Sequence, residues 1–71
     1  MTLQEALENN GAVLISSCPR VSDGDIVVLA SWKSGREFVT WRFFPSTGLS
    51  WGHYYSDKEN AYTDFGRRIL E

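Results

Sequence analysis

The chain has 71 residues, a formal net charge of −2 and 14 % aromatic residues, which is the size of one small domain. The negative charge argues against a nonspecific nucleic-acid binder, because such proteins usually carry a clustered basic face. No segment is long and apolar enough to span a bilayer, and the first residues lack the basic and apolar regions of a signal peptide. Because Cys18 is the only cysteine, no internal disulfide can form, and a reducing, cytoplasmic location is expected.

The first third of the chain predicts a helix, a strand and a loop. Residues 2–9 form the helix, in which Thr2 is the cap and Glu5 completes a capping-box pattern three residues later. The apolar run 12–15 is short and contains β-branched residues, which favours a strand over a last helical turn. Residues 16–25 contain proline, glycine, serine and aspartate, and we expect them to form a loop.

The centre of the chain predicts an antiparallel β-meander. Residues 26–32 are mainly apolar and β-branched, and residues 36–44 alternate between apolar and polar types. A third strand is expected over residues 49–55. The turns between these strands are Lys33-Ser34-Gly35 and Pro45-Ser46-Thr47-Gly48, which are typical of hairpins.

A second helix is predicted after the meander. Ser56 is the expected cap, with Glu59 in the capping-box position. An apolar stripe at helical spacing consists of Ala61, Tyr62, Phe65 and Ile69. The whole chain, residues 1–71, is therefore predicted to be a single α+β domain. In it, a three- to four-stranded antiparallel meander packs against the C-terminal helix, with a short N-terminal helix beside it.

Strand alternation divides the aromatic residues between the two faces of the sheet. If Trp32 pairs with Glu37, and Phe44 with Leu49, Gly52 lies opposite Trp41 and leaves room for its ring. One face then carries Val39, Trp41, Phe43 and Tyr54, and we expect the C-terminal helix to pack on this face.

The opposite face carries the candidate contact residues, which are Phe38, Arg42, Trp51, His53 and Tyr55. One amphipathic helix cannot cover both faces of a sheet. The second face is therefore expected to be covered either by the N-terminal helix or by a partner.

Catalysis, metal binding and cofactor binding have little support in the sequence. His53 is the only histidine, and a role in proton transfer would need a nucleophile or a paired carboxylate that the sequence does not identify. One cysteine and one histidine cannot supply the three or four soft ligands of a usual metal site. No glycine-rich phosphate-binding loop is present. We therefore expect a protein that is not an enzyme and has no cofactor.

Residues 38–68 resemble short proteins encoded by phages and other mobile elements. The shared pattern consists of Val39-Thr40-Trp41, Gly48, Trp51-Gly52-His53-Tyr54, Ala61 and Asp64-Phe65. The resemblance implies an accessory protein that binds and blocks a host protein, such as a defence nuclease, in the manner of an anti-CRISPR protein. It implies no catalytic residue.

Several functions are compatible with the second aromatic face. A protein-binding module is the first, because Trp, Tyr and Arg dominate binding hot spots, and the simplest partner is a second copy in a homodimer. The same face could instead stack the bases of single-stranded nucleic acid, although the Lys and Arg residues that usually surround such platforms are missing. A small enzyme built around His53 and a purely structural role are further alternatives.

Overall fold

The computed structural model describes all 71 residues, which form two helices and four strands. In chain order the elements are α1 (Leu3–Asn9), β1 (Val13–Pro19), β2 (Ile26–Trp32), β3 (Glu37–Phe44), β4 (Gly48–Tyr55) and α2 (Lys58–Leu70). The strands form one open antiparallel sheet in the order β1-β2-β3-β4. The predicted α+β meander is confirmed, with four strands. Neither helix has the length and apolar character needed to cross a membrane.

The two helices pack on opposite faces of the sheet, and the predicted position of the C-terminal helix is wrong. The face expected to receive it is covered by α1, in a core cluster of Ala6, Leu7, Val28, Ala30, Val39, Trp41 and Phe43. α2 covers the other face, where Asp64 and Arg68 form hydrogen bonds with Thr40. The reason is chemical, because two of the residues that α2 buries need polar partners and Thr40 is the one buried polar residue of the sheet.

The buried side of α2 also differs from the predicted apolar stripe. Ala61, Asp64 and Arg68 are the buried residues of the helix, and their spacing of three and then four residues defines one helical face. Tyr62, a member of the predicted stripe, is 43 % exposed. The helix therefore presents a mixed apolar and ionic surface to the sheet.

The helix caps confirm one prediction and correct another. At α1 the capping box is complete, because Thr2 Oγ1 accepts from the Glu5 N–H at 3.1 Å and the Thr2 N–H donates to Glu5 Oε1 at 2.9 Å. At α2 the cap is Asp57 and not Ser56. Asp57 has extended backbone angles, and its carboxylate accepts from the Glu59 N–H at 3.0 Å.

The first strand, β1, is longer than predicted, since it continues through Ser16 to Pro19. A register shift between Leu14 and Ser16 marks a β-bulge at Ile15. β1 lies at the edge of the sheet, where a proline is tolerated because no second neighbouring strand requires its missing N–H. The loop expected from residue 16 is therefore confined to residues 20–25.

The pairing of β3 with β4 contains a second β-bulge, which changes the predicted register. The predicted pairs Thr40 with His53 and Val39 with Tyr54 are present, but Phe44 pairs with Gly48 and not with Leu49. The shift of one residue is absorbed at Trp51 and Gly52, opposite Trp41.

The expected packing of an aromatic ring over Gly52 is present. A Cβ atom placed on this glycine would lie 2.8 Å from Trp41 Nε1 and 2.6 Å from the Tyr54 hydroxyl oxygen. These separations are shorter than van der Waals contact. The strand therefore has to carry glycine at this position while the two rings lie where they do.

Candidate functional site

The five candidate contact residues lie on the sheet face that α2 covers, and only two of them are largely exposed. Trp51 is 63 % exposed, and the His53 side chain is 50 % exposed. The other three, Phe38, Arg42 and Tyr55, are half-buried. The cover is the C-terminal helix, which neither of the two predicted alternatives named. The two largely exposed candidates therefore both lie on the edge strand β4.

Trp51 has an unusual backbone conformation. Its φ angle is +53°, in the left-handed region that a bulky residue seldom adopts, because Cβ approaches the following carbonyl oxygen. A conformation of this kind costs about 1–3 kcal/mol and persists only where the surrounding structure imposes it. Here the bulge on β4 imposes it, and the consequence is an indole ring held at the edge of the sheet.

The Trp51 ring is held by two neighbours from β3. It meets the Phe44 ring edge to face, with centroids 5.6 Å apart and an interplanar angle of 84°, an arrangement that aromatic pairs prefer. The Arg42 guanidinium carbon lies 4.8 Å from the Trp51 ring centroid and 5.4 Å from that of Phe44. This distance is within the range of a cation–π interaction. The exposed indole is thus supported on its inner side.

Two carboxylates of the loop between β1 and β2 hold Arg42 in turn. The guanidinium forms ion pairs with Asp25 and, at 3.3 Å, with Asp23. The backbone N–H of Asp25 donates to Asp23 at 3.0 Å and lowers the pKa of that carboxyl, and the charges of Arg20 and Arg42 also lower it. The support of Trp51 therefore extends from the ring, through Arg42, into this loop.

The same loop is fastened to the end of α2. Arg20 Nε and Ser22 Oγ both donate to the carbonyl oxygen of Glu71, at 3.1 and 2.8 Å. The Val21 N–H donates to the Ile69 carbonyl at 2.8 Å. A plain loop was expected over residues 16–25, yet residues 20–25 connect the C-terminal helix to the surroundings of Trp51.

The other exposed candidate, His53, belongs to a buried polar network. Asp64 Oδ2 accepts from Thr40 Oγ1 at 2.6 Å and lies 2.8 Å from His53 Nδ1. Arg68 donates to the carbonyl and the hydroxyl oxygens of Thr40, both at 3.1 Å. The Thr40 hydroxyl therefore forms two hydrogen bonds, one as donor to Asp64 and one as acceptor from Arg68.

The ionisation of Asp64 determines which ring nitrogen of His53 faces it as a donor. Burial acts to raise the pKa of Asp64, but the hydrogen bonds with Thr40 and His53 and the positive charges nearby outweigh it, so that the pKa lies below its usual range. The carboxylate is ionised at neutral pH and can only accept. His53 must therefore carry a hydrogen on Nδ1, which leaves Nε2 for the solvent.

The carboxylate partner that catalysis by His53 would need is thus present in the structure. It is Asp64, eleven residues further along the chain, and sequence analysis missed it because the phase of α2 was read from its apolar residues alone. His53 has no other hydrogen-bond partner, and no cavity adjoins it. The contact ties β4 to α2. Burial and the charge of Asp64 also raise the pKa of Tyr55.

The arrangement presents the exposed Trp51 ring and one oriented imidazole along β4, and no group of His, Cys, Asp and Glu in the chain could hold a metal ion. Tyr54, expected in the core, is 52 % exposed and is the second exposed ring of this strand, packed against Trp32 and Trp41. Comparisons with protein-family models, curated proteins and solved structures found no match to this chain, so its function has to be inferred from the chemistry of this edge.

Proposed function

We propose that the chain is a non-enzymatic protein-binding module and that Trp51 is its central contact residue. The partner surface would meet β4 at the bulge, with His53 beside the ring. A tryptophan near the middle of a contact is the residue type that most often contributes 2 kcal/mol or more to binding.

The conformation of Trp51 is the observation that carries the proposal. The chain places a large apolar ring in solvent and holds it at φ +53°, two features that lower stability. Three side chains, of Phe44, Arg42 and Asp25, nevertheless support the ring directly or in turn. A residue that is strained, exposed and firmly supported is typical of a contact site, because a rigid anchor loses little entropy on binding.

The charge next to Trp51 favours a protein partner over a nucleic acid. Asp23 and Asp25 lie behind the ring and form ion pairs with Arg42 and Arg20, so this side of the ring offers the phosphate groups of a bound strand no excess of positive charge. Following the resemblance of residues 38–68 to proteins of mobile elements, we propose that the partner is a host protein, such as a defence nuclease, in the reducing cytoplasm.

The test is affinity capture from a lysate of the cells that produce the protein, followed by calorimetry with the purified partner. We compare the unchanged chain with Trp51→Ala and with Tyr62→Ala, a matched control that removes an exposed ring from α2. Trp51→Ala should weaken binding by about 30-fold or more, which corresponds to 2 kcal/mol. Tyr62→Ala should bind normally.

Two results would contradict the proposal. One is a partner that binds Trp51→Ala as tightly as the unchanged chain, provided that both unfold at similar temperatures. The other is binding of a labelled single-stranded oligonucleotide at low salt that is lost at high salt, which is the behaviour of a nucleic-acid-binding module.

A further inference from the structure

The β1–β2 loop (residues 20–25) is attached to the C-terminal turn of α2 by three hydrogen bonds. Its donors are Arg20 Nε and Ser22 Oγ, which bind the Glu71 carbonyl oxygen at 3.1 and 2.8 Å, and the Val21 N–H, which binds the Ile69 carbonyl oxygen at 2.8 Å. The last carbonyls of a helix have no partner within it, so the loop satisfies a group that the helix leaves free. The two side-chain bonds are exposed, and exposed bonds of a loop open more easily than those of a sheet.

On its other side, the β1–β2 loop holds Arg42 of β3. The guanidinium donates to Asp23 and Asp25 through the same Nη2 atom, and its Nε is buried without a partner. The orientation of the guanidinium therefore depends on the two carboxylates of this loop. Because the guanidinium carbon also lies 4.8 Å from the centroid of the Trp51 ring, one side chain links the β1–β2 loop to the ring.

We propose that the β1–β2 loop regulates the contact site at Trp51, because the ring is held in place while the loop is attached to α2 and gains freedom when the loop opens. An open loop carries its carboxylates away from Arg42, and the guanidinium can then leave the ring for solvent. The inference rests on the proposed function for its consequence. A fixed ring loses less entropy on binding than a mobile one, so the partner should bind more tightly while the loop is attached.

Two NMR measurements on the free chain test the two steps of this coupling. Amide hydrogen exchange at Val21 reports opening of the loop, because its N–H is bound to Ile69. Nitrogen relaxation dispersion at the indole N–H of Trp51 reports motion of the ring on the microsecond to millisecond timescale. The indoles of Trp32 and Trp41, which pack against each other and the core under α1, are internal references.

Ser22→Ala removes one of the bonds between the loop and α2. Exchange at Val21 should become about two- to tenfold faster, because the loss of a typical hydrogen bond changes an opening equilibrium by that factor. The dispersion at Trp51 should increase, with both reference indoles unchanged. Thr63→Ala is the matched control and should change neither measurement, since it removes a hydroxyl that donates to a carbonyl, that of Glu59 at 3.0 Å, on the exposed side of α2.

Arg42→Lys tests the link between the loop and the ring. Lysine keeps the positive charge beside the two aspartates, but it replaces the flat guanidinium that stacks on the ring with a compact ammonium. Exchange at Val21 should stay as in the unchanged chain, whereas motion of Trp51 should increase. Adding Ser22→Ala to Arg42→Lys should then speed up exchange with no further motion of the ring, and further motion would show that the coupling does not run through Arg42.

Three results would overturn the proposal. They are faster exchange at Val21 in Ser22→Ala without added motion of Trp51, an equal increase in motion at all three indoles, and an equal response to Thr63→Ala. Thermal unfolding checks that each variant folds. The proposed function fails separately, through a partner that binds Trp51→Ala normally, because the loop measurements need no partner.

Discussion

Removing the Asp64 carboxylate, which is buried where α2 meets the sheet, should destabilise the domain. Asp64 receives the Thr40 hydroxyl and His53 Nδ1 on one oxygen, and hydrogen bonds to charged groups contribute about 1.5–3 kcal/mol each. The His53 bond lies half in solvent and should contribute less. Alanine also favours the helix by about 0.5 kcal/mol relative to aspartate. For Asp64→Ala we therefore expect a loss of about 2–3 kcal/mol in the free energy of unfolding.

That loss is large for a chain of this length. A 71-residue domain has a total stability of about 4–10 kcal/mol, and its unfolding free energy changes by about 1 kcal/mol per molar urea. The urea midpoint of Asp64→Ala should therefore fall by about 2–3 M. Thr63→Ala, an exposed neighbour on the same helix, is the control and should change the midpoint by less than 0.5 M, as is usual for surface sites.

A double-mutant cycle with Thr40→Val separates the buried bond from other effects. If Thr40 and Asp64 are coupled as the 2.6 Å contact requires, the two changes together should cost at least 1 kcal/mol less than the sum of the single changes. A loss below 1 kcal/mol for Asp64→Ala, or additive changes in the cycle, would refute this account of the network.

Three further predictions concern the bulge, the glycines and acid. Gly52→Ala should destabilise the domain by about 1–3 kcal/mol, because the new Cβ meets fixed ring atoms. Gly66→Ala has open space around it and should stabilise α2 by up to about 1 kcal/mol. Thermal unfolding of the two variants measures both effects. Trp51→Gly should be about 1 kcal/mol more stable than Trp51→Ala, because glycine tolerates φ +53°. At Ser50, which has ordinary strand geometry, the glycine variant should instead be less stable than the alanine variant. The same order of stability at both sites would exclude backbone strain at the bulge. The pKa of Asp64 is lower in the folded chain than in the unfolded chain. The contribution of this carboxylate to stability is therefore present above about pH 4, the ordinary aspartate value, and is lost as pH falls through the folded pKa. Urea midpoints of Asp64→Asn should accordingly depend less on pH, between about 5 and 2, than those of the unchanged chain.

The helices and strands were largely predictable because their signals are local. β2 agrees with the run of β-branched residues at 26–32, and the capping box at Thr2 and Glu5 is a contact between residues three apart. Such signals depend on neighbours in the chain and not on the rest of the fold. The error at the N-terminus of α2 was of one residue, since Ser56 and Asp57 are both good caps.

The candidate site was less predictable because it depends on irregular and long-range features. A bulge adds one residue to a strand and breaks the period of two from which side chains are assigned to the two faces. The bulge in β4 falls at Trp51, and a tryptophan in the sequence does not indicate a bulge. The predicted buried stripe of α2 contained neither Asp64 nor Arg68, because charged residues are rarely buried unless paired. Their partner Thr40 lies 24 and 28 residues away, on another element, and nothing in the sequence pairs them.

The meander topology has a consequence for the order in which this chain folds. The three connections between strands contain only six, four and three residues, at 20–25, 33–36 and 45–47. Short loops cost little entropy to close, and contacts close in sequence form fastest. Each helix contacts two or more strands, so we expect each to dock after those strands have paired. We expect the face beneath α2 to close last, when the loop at 20–25 and the C-terminal residues meet.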